Sequence, residues 1–143
     1  TDSFMPMLVR ATPGARSRLT DWLRQIEPRG RSNPLDGLKA GLALKPEAVF
    51  LLSRSIERSG GGVWQLGLDA TLRELDALNP AVEGRDLTRR RVVIKTIQFL
   101  DEDPTGIMQA IGKAHGQAGG EEPPGYTVIR QTKDLAPTPS PSP

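Results

Sequence analysis

The chain has 143 residues, enough for one domain with a core, but only 36% are hydrophobic and 4% aromatic. Its 15 glycines and 13 prolines imply loops and a tail, so the ordered part is smaller than the length suggests. With 19 basic and 17 acidic residues, no Cys and no apolar run near the ~18 residues of a membrane span, the composition argues against nucleic-acid binding, disulfides, thiolate metal sites and a transmembrane helix.

Taken in order, residues 4 to 10 read as a short extended segment that Pro6 confines to an edge or loop. A helix follows over about 14 to 26, with Leu19, Trp22, Leu23 and Ile26 spaced as one apolar stripe. Pro28 and Gly30 end it. Ser32 as N-cap and Pro34 in the first turn start a second helix, about 34 to 44, with Leu35, Leu38 and Leu42 on its apolar face.

The stretch Ala48 to Ser55 comes next, and its first five residues are continuously apolar. That pattern predicts a strand buried on both faces. A third helix, about 65 to 78, carries Leu68, Leu72, Leu75 and Leu78 inward and Arg73, Glu74 and Asp76 outward. Residues 80 to 90 read as a polar connection. Residues 91 to 99 form a β-branched strand whose second half alternates, so one face is expected to be less covered. A fourth helix, about 104 to 115, has Ile107, Ile111 and Ala114 on its apolar edge and ends at Gly116. Tyr126 to Arg130 is a third short strand, and a Pro/Ser-rich tail closes the chain.

The strand–helix alternation predicts an α/β fold: a three-layer arrangement with a mostly parallel sheet and helices on both faces. The expected division is an N-terminal extended segment (1–12), an α/β domain (13–131) and a tail (132–143). No signal-peptide pattern is present, and Thr1 in first place fits a processed or envelope-associated fragment, which leaves the compartment open.

The run from Pro34 through Leu52, a helix leading into an apolar strand, resembles the middle of a bacterial von Willebrand factor type A domain. Val92 through Gly116 resembles that family's next strand and helix, and Tyr126 to Arg130 its last strand, so the likeness spans about 28 to 130. The family holds a metal with an Asp-x-Ser-x-Ser loop after its first strand, a Thr, and the Asp of a Leu-Thr-Asp-Gly turn. Here no such loop follows a strand, Ser32 falls where the Thr belongs, and Arg54 falls where the Asp belongs. A guanidinium offers a divalent ion like charge and no lone pair. The resemblance with these departures therefore implies a truncated domain that holds no metal and no other cofactor. It also implies that the strand at 48–52 lacks its usual neighbour. Its open edge would pair with another chain or a second copy.

In open α/β sheets ligands gather beyond the carboxyl ends of the strands. That places Ser53, Arg54, Ser55, Arg58 and Trp64, with Ser32, in the candidate partner-binding set. Arg54, Arg58 and Gly60-Gly61-Gly62 could also cradle an anion or nucleotide, although the spacing is neither a P-loop nor a dinucleotide fingerprint. Asp101, Glu102 and Asp103 read as the cap and first turn of the fourth helix. His115 reads as structural, at a helix end that favours the protonated ring. Arg89-Arg90-Arg91 reads as a solvated turn, and the Pro/Ser tail as a linker. No catalytic residue emerges. The expected function is a non-catalytic protein–protein interaction or scaffold subunit, part of a larger assembly, reaching a membrane only through a membrane-bound partner.

Overall fold

The computed structural model describes residues 3–27, 34–53, 67–83, 88–100, 104–116 and 125–130. Four helices are present: α1 (Pro13–Gln25), α2 (Pro34–Ala43), α3 (Leu68–Leu78) and α4 (Ile107–His115). The strands are β1 (Ala48–Ser53), β2 (Ala81–Glu83), β3 (Thr88–Arg90), β4 (Val93–Phe99) and β5 (Tyr126–Ile129). The chain is an α/β fold, as its sequence pattern predicts.

Local chemistry sets the helix boundaries. The Thr12 hydroxyl accepts from the Ala15 amide at 3.2 Å, and Pro13 takes the first helical position of α1, where no amide is needed. At α2 the expected cap, Ser32, lies outside the described residues, while Leu35, Leu38 and Leu42 are all buried as their spacing predicts. Helix α4 begins at Ile107, later than expected. Its N-cap is Gly106 in the left-handed region (φ 66°), and the Thr105 hydroxyl accepts from the Ile107 amide. Asp103, the expected cap, lies outside the described residues.

β1, β4 and β5 form one parallel sheet in that order, with Ala48 opposite Val93 and Thr96 opposite Tyr126. β1 is thus an edge strand among the described residues, as its unpaired neighbour position implies. Within residues 80 to 90, expected as a polar connection, Ala81–Glu83 and Thr88–Arg90 instead form an antiparallel pair, β2 with β3.

The parallel register sorts the strand residues onto two faces. Val49, Leu51, Ile94, Thr96, Gln98 and Tyr126 share one face. Phe50, Leu52, Lys95, Ile97, Phe99 and Ile129 share the other. The core joins the first face to α2, α3 and α4, through residues such as Leu38, Leu75, Met108 and Ile111. The reason is topological. The chain crosses the sheet in one direction, from β1 to β4 to β5, and right-handed crossovers then lay α3 and α4 on one side. α2 packs on β1 beside α3. The other face receives no helix from this set.

The expectation that β1 is buried on both faces is therefore corrected. Its burial alternates, and Phe50 and Leu52 are 60% and 64% exposed. β4, in the centre, alternates along its whole length. Two expected helix faces are likewise only partly used. Leu68 and Leu78 of α3 are exposed, and the buried positions are Thr71 and Leu75. Ala114 of α4 faces solvent, while Met108, Gly112 and His115 are buried.

Helix α4 lies almost on the backbone of its neighbours. A Cβ on Gly112 would sit 2.6 Å from the Gly125 carbonyl oxygen and 2.7 Å from Thr96 Oγ1. That close approach lets the Thr96 hydroxyl donate to the Met108 carbonyl (2.8 Å), with the Gly125 carbonyl at 3.2 Å.

Candidate interaction surface

Only Ser53 of the proposed partner-binding set lies among the described residues. It ends β1, half-buried, opposite Gln98 of β4. Ser32, Arg54, Ser55, Arg58 and Trp64 lie outside them, as do the glycine loop and Asp101 to Asp103. The structure thus defines the floor of the expected site and not its rim. Gln98 and Tyr126 meet there on the covered face, the tyrosine hydroxyl donating to Gln98 Oε1. Gln98 is buried, so this contact fixes β4 to β5 rather than offering groups to a ligand. Among the described residues no cluster of three His, Cys, Asp or Glu side chains could hold a metal.

The opposite end of the sheet holds a buried polar network that the sequence pattern does not reveal. Asn79, just past α3, accepts the Val92 amide at 3.1 Å and donates back to the Val92 carbonyl at 2.7 Å. Its second amide proton points to His115 Nδ1 at 3.4 Å, which makes that nitrogen the acceptor and leaves the ring proton on Nε2. Nε2 faces Asp76 Oδ1 at 3.5 Å, too long for a full hydrogen bond, and it makes no other. Arg90 holds the same Asp76 oxygen at 2.7 Å and donates to the Asn79 carbonyl at 3.0 Å.

His115 has no solvent-exposed surface. Burial, then the Arg90 charge, push its pKa down to about 4, against a smaller opposing pull from Asp76. The expectation that its helix end favours the protonated ring is corrected: the imidazole is neutral, because losing water costs it more than the helix end returns. A carboxylate beside a histidine can serve catalysis. Here the ring is sealed from solvent, and among the described residues its polar contacts are with Asn79 and Asp76, not with a nucleophile. The group anchors α3, α4 and the β2–β3 pair to one another. Arg90, expected in a solvated turn, is part of that anchor; Arg91 is exposed.

The surface that remains is apolar. Beside the edge of β1, unpaired among the described residues, stand the exposed Phe50 and Leu52, and the same face continues across the half-buried Ile97, Phe99 and Ile129. Lys95 is its one charged residue among the described strand positions. α1 is a second exposed apolar surface. Trp22 is half-buried, with its ring 5.7 Å from that of Phe4, as expected of a packing residue. Leu19 and Leu23, however, are 39% and 56% exposed. Sequence reasoning missed Phe50 and Leu52 because they alternate with residues that are also apolar, which hides the period of two.

Comparison with known proteins adds no identity: no family model, curated protein or solved structure matches the chain.

Proposed function

We propose that this chain is a non-catalytic protein–protein interaction module, a scaffold subunit of a larger assembly built on a truncated type A-like domain. Its partner lies along β1, adding a strand to the open edge and covering the side chains beside it. One observation carries the reading: an edge strand presents Phe50 and Leu52, each more than half exposed. Adjacent large apolar side chains mark interaction surfaces, and an unpaired strand edge supplies ordered donors and acceptors for an incoming strand. The likeness to the type A family, carried by residues 34–52, 92–116 and 126–130, supports the same reading.

The test is a photo-crosslinking amino acid placed at Leu52 in the full chain, in cells and in their extract, with an identical probe at Lys113 as control. Lys113 is exposed on the outer side of α4. The reading expects an adduct to a polypeptide from position 52 and none from 113. No adduct at 52, or equal adducts at both, would remove it.

A further inference from the structure

The buried network at the end of α3 is consistent with only one protonation state of its histidine. Asn79 is gripped by Val92 at both ends of its amide: Oδ1 accepts the Val92 N–H at 3.1 Å and Nδ2 donates to the Val92 carbonyl at 2.7 Å. Turning the amide over would set oxygen against oxygen and N–H against N–H, so its orientation is fixed. Nδ2 therefore presents its second N–H to His115 Nδ1, 3.4 Å away. The neutral ring accepts it. A protonated ring carries N–H on both nitrogens and has no lone pair to offer. Protonation thus turns this contact into two buried donors facing each other, each left unmatched.

The other ring nitrogen adds to the effect. Nε2 lies 3.5 Å from Asp76 Oδ1, the oxygen that Arg90 already holds at 2.7 Å. A charged ring would draw that carboxylate and repel the guanidinium. Asp76 of α3 and Arg90 of β3 are the two charges that act on His115. Glu74 of α3 is paired with Lys39 of α2 instead. On the covered face of the described sheet, β4 and β5 bring one titratable group, Tyr126, whose hydroxyl is held by Gln98. On α4 itself Lys113 is exposed.

Arg90 is also what ties β3 to the body, through Asp76 and the Asn79 carbonyl at 3.0 Å. Among the described residues none of β2 or β3 belongs to the buried core, and Val82 is 55% exposed. An element with so little buried apolar contact can open while the rest stays folded. We propose that Asn79, Arg90, Asp76 and His115 form an acid-released latch: protonation of His115 breaks its contact with Asn79 and frees the β2–β3 pair from α3 and α4, while the parallel sheet stays folded. The closed ring stays neutral down to about pH 4, whereas the released ring meets water and titrates near its ordinary 6.5. Acid between those limits therefore favours the released form, by about tenfold per pH unit. The latch is separate from the surface at β1 and stands whatever binds there.

Amide hydrogen exchange followed by NMR on the full chain, across that pH window and corrected for the intrinsic exchange rate, tests this. His115 is the only histidine, so its ring nitrogen signals are read directly. They should show the neutral ring protonated on Nε2. The Val92 amide, bonded to Asn79 Oδ1, should be less protected than the Thr96 amide, bonded across the sheet to Gly125, and should lose protection about tenfold per pH unit below 6.5. His115→Gln, which cannot titrate, should remove that loss. Asn79→Asp offers the ring an acceptor in place of a donor, so the ring should charge at higher pH and Val92 should keep its protection as pH falls. Equal protection of Val92 and Thr96 at every pH would overturn the proposal, because the β2–β3 pair would then leave only with the whole fold. So would a neutral ring protonated on Nδ1, or a Val92 response unchanged in His115→Gln or in Asn79→Asp.

Discussion

The two faces of this one small sheet are built from the same strands and meet different fates. Val49, Leu51 and Ile94 lie under three helices; Phe50 and Leu52, each one residue along β1, stand exposed. Composition does not separate them, since both sets are large and apolar. Topology does. Strands added in one direction through right-handed crossovers gather their helices on one side. The lesson is that an apolar side chain in a strand reports a face that needs covering and not where the cover comes from. Here the uncovered face is the basis of the proposed function.

The sharpest way to break the comparison is to shorten one residue on each face. Ile94→Ala, at a position with no exposure, should cost about 2–5 kcal/mol in urea denaturation, the range for a buried aliphatic truncation. Phe50→Ala, measured dilute, should stay within about 0.5 kcal/mol of the parent, as exposed substitutions do. Equal losses at both sites would mean that both faces are packed within one chain.

The covered side should also carry the pH response. His115 has its folded pKa lowered from 6.5 to about 4. The unfolded chain therefore takes up a proton first as pH falls. The stability associated with this group is complete above pH 6.5 and drains away as pH drops toward 4, by roughly 3 kcal/mol at most. His115→Gln should flatten that part of the stability–pH curve relative to the parent. An unchanged slope between those limits would contradict the buried neutral ring.

Gly112→Ala is expected to be next in size. Its Cβ would meet the Gly125 carbonyl and Thr96 Oγ1, so α4 must lift from the sheet. Overpacking of this kind costs about 1–3 kcal/mol. A neutral result in thermal melts would mean that α4 does not sit as close to β4 and β5. The smallest effect is stabilising: Lys45 follows α2 with φ 52°, in the left-handed region, and Lys45→Gly should add about 0.5–1 kcal/mol.

Much of this division was legible in the sequence. Leu35, Leu38 and Leu42 announced the buried side of α2 by spacing alone, and the apolar run from Ala48 announced a strand of the parallel sheet. The one-sided cover was not legible, because Phe50 and Leu52 interrupt no pattern when Val49 and Leu51 beside them are equally apolar. Nor was the network of Asp76, Asn79, Arg90 and His115. Those residues are spread from α3 to α4, and each has an ordinary local explanation: an exposed helix position, a helix stop, a basic turn, a helix end. Only the fold brings them together. Of the residues expected to bind a partner, Ser53 alone lies among the described residues, so the candidate surface rests on neighbours that the sequence reading had assigned to the core.

Side-chain footprinting by a diffusible carbene, with residue-level mass analysis of the purified chain and of the same chain in cell extract, tests the central claim most directly. Phe50 and Leu52 should label strongly in the dilute purified chain and lose label in extract, where a partner covers β1, while Met108 stays unlabelled throughout. Weak labelling of Phe50 in the dilute purified chain would show the face already covered within one chain. Strong labelling that does not fall in extract would show that no partner covers it.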